Sequence, residues 1–299
     1  MWQDRHEKVG VLAALAAFLS WGVMPFYFKW IQHVDAWEII SHRIIWAIPL
    51  LALFLWFRDG RAFVPRLRLP ARHVAWLLLS GTLLVLNWVI FVWAVTHDRV
   101  LATSMGYFIN PLVNILLGFL FLRERLSRLQ LLAVLIAAAG TAYLGWTLGQ
   151  PPWISLSLAF LFGFYGLLRK RLPVGPMTGL IWESALLLLP ALCYLAWLGA
   201  HDGLAFGSVS RQTDALLLLA GVITVLPLIW FNMATQRISL SAVGFLMYIA
   251  PTMTFLLSVF YWHEPFTRGH AVAFGCIWSG LAMISLEQVS RARRSRRFG

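Results

Sequence analysis

Apolar residues in this chain do not alternate with polar ones as a half-buried strand would require. They run almost unbroken for about twenty residues, stop at a short polar or basic segment, and resume. A helix rising 1.5 Å per residue needs roughly 20 such residues to cross about 30 Å of hydrocarbon, so each run predicts a membrane-spanning helix. Ten are predicted, near residues 9–28, 38–57, 74–95, 101–121, 130–148, 153–168, 177–199, 214–235, 241–262 and 270–289, the sixth being the shortest. The run from Val9 is longer than the core of a signal peptide and lacks a clear small-residue cleavage site, so it is read as the first span. The expected fold class is an all-α polytopic membrane protein.

Composition strengthens this reading. The chain is 60% hydrophobic and 12% charged, against about 45–50% and about 25% for soluble domains. Its net charge of +12 is carried between the apolar runs. Nineteen of the 24 lysines and arginines fall at the N-terminus, in segments 58–73, 122–129, 169–171 and 236–240, and in the tail; Lys29, Arg99, Arg211 and Arg268 fall in the alternate loops. Basic residues gather on the cytoplasmic side of short loops, so both termini are expected to be cytoplasmic, which demands an even number of crossings. The partners expected are the lipid bilayer and a small-molecule substrate, not nucleic acid. The tail "RARRSRR" is read as an anchor on anionic lipid or as a solvated tail. Cys193 and Cys276 lie inside apolar runs and suggest neither a disulfide framework nor a metal site.

Shifting the sequence by 140 residues against itself aligns Leu77–Ala142 with Leu217–Ala282 without a gap, and 18 of 66 positions match. Leucine matches are cheap in so apolar a chain, but Gly81 with Gly221, Pro111 with Pro251, Glu124 with Glu264 and Arg128 with Arg268 are not. A shift of 141 pairs Pro49 with Pro190 and Trp56 with Trp197. The expected domains are therefore two five-helix repeats, 1–150 and 151–290, followed by a basic tail at 291–299. Five is odd, so the second repeat enters the membrane upside down. Inverted repeats of this kind recur in secondary transporters, with the substrate near the midplane between halves.

Ionisable groups inside spans are costly and usually mark function. The second span opens "EIISHRIIW", placing Glu38 and His42 on one helix face with Arg43 next, and the 141-residue shift aligns His42 with Glu183. His42, Arg43 and Glu183 are expected to bind substrate or relay protons, with Arg43 and Glu183 as a candidate buried pair. The alternative is that they snorkel from helix ends to the interface. In the fourth span Asn110 and Asn114 flank Pro111, which frees a backbone carbonyl and suggests a broken stretch. A substrate pocket of Tyr107, Asn110, Asn114, Tyr248 and Thr252 is expected, with Asn87, Trp88, Trp93, Asn232 and Trp21 as further walls; the alternative is that these groups bond neighbouring helices. Glu124 and Glu264 are read as structural, accepting bonds from Arg128 and Arg268. Small residues Ala133, Ala137 and Gly140, and Gly275, Ser279 and Ala282, favour close helix packing within a subunit or between copies, leaving monomer or homodimer open. No phosphate-binding loop or nucleophile elbow is present, and "HEPFTRGH" has the wrong spacing for zinc, so no cofactor or catalytic residue is expected. The competing class is a membrane-embedded enzyme or a regulatory membrane protein without transport.

The segments "LSWGVMPFYFK", "EIISHRIIW", "NWVIFVWAV", "GYFINPLVNILLG", "FYGLLRK" and "APTMTFLL" followed by "HEP" together resemble the RarD group in the EamA branch of the drug/metabolite transporter superfamily. The resemblance spans nearly the whole chain. It implies ten helices in a duplicated five-helix unit, cytoplasmic termini in the bacterial inner membrane, and a permease for a small metabolite, amino acid or drug-like solute, the group being described as chloramphenicol-sensitive. Met247 departs from the glutamine expected there.

Overall fold

The structure, a computed structural model, describes residues 2–123, 125–238, 242–243 and 246–295. Its described residues form helices joined by short loops, with no strand. In chain order they are α1 Trp2–Trp30, α2 Ala36–Asp59, α3 Ala71–Thr96, α4 Val100–Leu122, α5 Arg128–Leu148, α6 Trp153–Arg171, α7 Pro176–Ala200, α8 Arg211–Thr235, α9 Ile249–Leu256 and α10 Arg268–Ser295, with a helical turn Phe63–Arg66 after α2. Eight of the ten are long and apolar enough to cross a membrane. The exceptions are α6, whose last turn holds Arg169, Lys170 and Arg171, and α9, which is short and continues as a π-helical stretch Leu257–Tyr261. The chain is a multi-pass membrane protein.

Local chemistry sets the helix ends. Asp35 caps α2 by accepting from the Trp37 and Glu38 amides at 2.9 and 3.3 Å. Ser127 and Gln130 form a reciprocal capping box at α5, and Gly149 closes that helix with φ of 68°, a left-handed conformation that suits glycine. The proline of the fourth span behaves differently from expectation. α4 runs unbroken through Pro111, and Asn114 donates to the Asn110 side-chain oxygen along the helix at 2.9 Å. In the second half Tyr248 sits in a turn and Pro251 falls in the first turn of α9, where its missing N–H would have had no partner anyway.

Hydrogen bonds across the loops fix which helix ends share a face. At one end Tyr194 on α7 donates to Asp35 before α2 (2.8 Å), His33 meets Thr213 (3.0 Å), and Ser155 on α6 donates to the Ala102 carbonyl on α4 (2.7 Å). At the other end Trp182 donates to the Leu67 carbonyl (3.0 Å), Arg171 to the Phe121 carbonyl (2.6 Å), and Ser127 to Glu287 (2.9 Å). The second end also holds the start of α1, where Gly10 lies against Arg237 and Ile238. Both α1 and α10 thus have their outer ends at the face rich in arginine, while α6 starts from the opposite face.

The principal packing pairs are α5 with α10, α4 with α6, α1 with α9, α3 with α6, α1 with α8, α2 with α8, α3 with α7, α2 with α7 and α4 with α9. Exchanging α1–α5 for α6–α10 maps this set onto itself. The small-residue stripes serve contacts within the chain. A Cβ on Gly140 would stand 2.5 Å from the Cys276 Cβ, and one on Gly280 would stand 2.9 Å from the Ala133 carbonyl oxygen, so α5 and α10 approach backbone to backbone. Gly275 faces open space instead. Leu131, Leu135 and Trp146 on α5 are exposed, a surface suited to acyl chains.

Candidate functional site

Arg43 is the centre of the most unusual environment in the bundle. Seven residues into α2, it lies about 10 Å below that helix's start. It is 5% exposed. Its Nε donates to Thr224 Oγ1 of α8 at 3.0 Å. Thr224 gives its own proton to the Ala220 carbonyl at 2.8 Å, so its oxygen is free to accept. The guanidinium lies 4.4 Å from the Trp88 ring centroid and 5.5 Å from that of Phe28. Tyr27 and Tyr107 lie within electrostatic range of it. Tyr107 in turn contacts Phe91 at 5.8 Å and Phe162 at 6.5 Å between centroids. Residues from α1, α3 and α4 thus meet α8 around this α2 cation. No described carboxylate pairs with it.

Glu183, expected opposite Arg43, is instead engaged elsewhere. Its carboxylate accepts from Ser80 at 2.6 Å and Tyr165 at 3.4 Å and lies 3.8 Å from Arg169 Nε. The reason is helix direction. The Tyr194–Asp35 and Trp182–Leu67 bonds make α2 and α7 antiparallel, so the first turns of α2 face the last turns of α7 while Glu183 sits near the arginine-rich end. Arg169 escaped notice in the sequence because it was assigned to a basic loop. α6 extends to Arg171, and Tyr165 and Arg169, four apart, share the face toward Glu183.

His42 is buried; its Nδ1 accepts from Trp46 at 3.1 Å, so the neutral ring carries its proton on Nε2, which has no described partner. Its ring packs against Phe206 at 4.8 Å. Glu38, fully buried, does not pair with His42; its carboxylate accepts from the Ala205 and Phe206 amides at 2.9–3.1 Å.

The expected pocket is only partly assembled. Trp88 and Tyr107 join Arg43. Asn87 is buried nearby on α3 and donates to the Leu158 carbonyl at 2.9 Å. Trp21 is half-buried on Phe18 and Phe231, and Asn232 accepts from Gln236 at 3.3 Å near the arginine-rich end. Asn114 is exposed. Tyr248 stacks on Phe108 in the α4–α5–α10 cluster, and exposed Thr252 donates to the Tyr248 carbonyl on its own helix. Trp93 stacks on His97 and contacts Trp153 at the loop end of α3. These three are not brought to Arg43. Glu124 lies outside the described residues, whereas Glu264 accepts from the Val100 and Leu101 amides at 2.7 and 2.8 Å, not from Arg268. Two cavities, of about 250 and 680 Å³, lie apart from the Arg43 cluster: one beside the α4 and α6 starts, the other an apolar groove between α4, α5 and α6. Side-chain chemistry and not void size therefore identifies the candidate site.

The model of the EamA-like transporter family matches residues 8–146 and again 152–286. An uncharacterized transporter of Vibrio cholerae is 42% identical over 99% of both chains. The protein RarD of Escherichia coli is 39% identical over 97% of this chain and 98% of its own, and the chloramphenicol-sensitive protein RarD of Pseudomonas aeruginosa is 30% identical over 99% of both. A crystal structure of another protein shares the fold, with a TM-score of 0.60 at 17% identity over 94% of this chain and 98% of that one.

Proposed function

Because the chain belongs to the EamA-like transporter family, we propose that it carries a small organic solute across the bacterial inner membrane by alternating access, with repeats 1–150 and 151–290 as the moving halves. The solute sits among α1–α4 and α6–α9, at the Arg43 cluster. The observation that carries this reading is Arg43 itself: a buried cation with aromatic walls and no acidic partner among the described residues, held where α1–α4 of one half meet Thr224 of the other. Ionisable groups at that depth are rare and costly unless they serve a solute path. The relatives' names as transporters point the same way. Both termini face the cytoplasm in this reading, since the arginine-rich loops share their end of the bundle.

Proton coupling enters through His42, whose Nε2 has no partner among the described residues, or Glu183, held by Arg169, Ser80 and Tyr165. Purified protein in liposomes tests both parts. Counterflow of labelled against unlabelled solute from a metabolite panel is the expected result, lost in Trp88→Ala and Tyr107→Ala. A panel with no exchange, or exchange untouched by both substitutions, removes the proposal. Exchange indifferent to a pH gradient and to Glu183→Gln removes the proton.

A further inference from the structure

Resting on the transport reading of the same site, we propose that Arg43 is the receptor for a carboxylate, and that the solute is an organic acid or zwitterion whose apolar body lies against Trp88. A buried guanidinium without a counter-charge is expensive, and native folds seldom keep one unless something else supplies the charge. Two acids near that end of the bundle are already engaged: both Glu38 oxygens are taken by the Ala205 and Phe206 amides, and Asp214 accepts from the Gly207 amide at 2.6 Å.

Arg43 uses only Nε within the described residues, on Thr224. The two terminal amino groups make no described hydrogen bond, and they are not among the sealed, orphaned atoms either, which are His42 Nε2, Asn87 Oδ1 and Arg169 Nη1. They therefore touch space a solvent-sized group can occupy, although the residue is 5% exposed. A planar fork with its paired end free is the geometry that holds a carboxylate through two parallel bonds. Tyr107, within electrostatic range of Arg43, has no described hydrogen bond for its hydroxyl. An inorganic anion would need no aromatic wall; Trp88, 4.4 Å from the guanidinium and only partly buried, favours an apolar body beyond the acid.

The test compares probes that differ only in charge: 3-phenylpropionate, its amide 3-phenylpropionamide, and inorganic phosphate, with binding to the full chain in lipid nanodiscs read by calorimetry. The acid should bind roughly 10–100-fold more tightly than the amide, the ratio expected for hydrogen bonds to a charged partner. In Arg43→Gln the preference should vanish, and Arg43→Lys should keep part of it. Should the glutamine variant not fold, the wild-type ratio and the lysine variant decide. Equal binding of acid and amide to the wild type, no binding of the acid at millimolar concentration, or displacement of the acid by phosphate at equal affinity would each overturn the carboxylate site. Acid-selective binding without counterflow of labelled 3-phenylpropionate discards the transport reading and keeps the site. Counterflow of a neutral solute unaffected by Arg43→Gln discards the site and keeps transport.

Discussion

Glu38 and Arg43 are five residues apart on α2, both buried, and the fold treats them oppositely. Glu38 is saturated by backbone amides of the α7–α8 loop, so it acts as a clamp. Glu38→Ala should leave those amides buried and unpaired and lower stability by about 2–5 kcal/mol, read as a fall in denaturant midpoint in mixed micelles, with the α7–α8 loop becoming open to protease. Arg43 has the converse signature. If the fold holds it for a ligand, then Arg43→Met, which fills similar volume without the charge, should raise the thermal midpoint of the ligand-free protein. A marked fall would mean that the charge is structural. Neither difference was visible in "EIISHRIIW", where Glu38, His42 and Arg43 look alike as polar intrusions into an apolar run. What separates them is loop 205–207 and Thr224, each more than 160 residues away.

At the scale of elements the apolar runs read well because hydrocarbon thickness is a one-dimensional constraint, and the helix of each run follows from length alone. The departures come from partners outside each run. α6 is longer than its apolar core because its basic turn reaches Glu183 and the Phe121 carbonyl. Asn110 and Asn114 bond each other and not a freed backbone carbonyl, and α4 stays continuous through Pro111. Glu264, placed in the sequence beside Arg268, caps α4 across the bundle. Burial raises its carboxyl above the ordinary carboxylate range, outweighing the two amides that favour the charged form. The folded state then binds the proton more tightly than the unfolded one, so stability falls as pH rises from the unfolded value of 4.5 through the folded one. In Glu264→Gln this part of the pH dependence should disappear, measured as thermal midpoint against pH; an unchanged profile would assign it to another group.

For the whole molecule, the packing pairs are closed under exchange of halves, and the bonds between loops place the outer ends of α1 and α10 on one face. The double match of the family model, to 8–146 and 152–286, was legible as a fixed offset at which proline, glycine, glutamate and arginine recur. The site was less so, since it draws on both halves at positions without repeat partners of the same type: Arg43 and Thr224 do not correspond under either shift. Orientation in the cell gives a direct check. In a Cys193→Ser, Cys276→Ser background, His201→Cys should react with an impermeant maleimide added outside intact cells, and Arg125→Cys only after permeabilisation. The reverse pattern would turn the protein over.

The close approach of Gly140 to Cys276 and of Gly280 to Ala133 has a mechanical consequence. Two rods locked at their main chains, at the rim and away from Arg43, leave little freedom to slide but retain the freedom to pivot. If the halves rock, this seam is the spine about which they turn, and bulk added at either glycine would stiffen or splay the binding edge without touching what the pages hold.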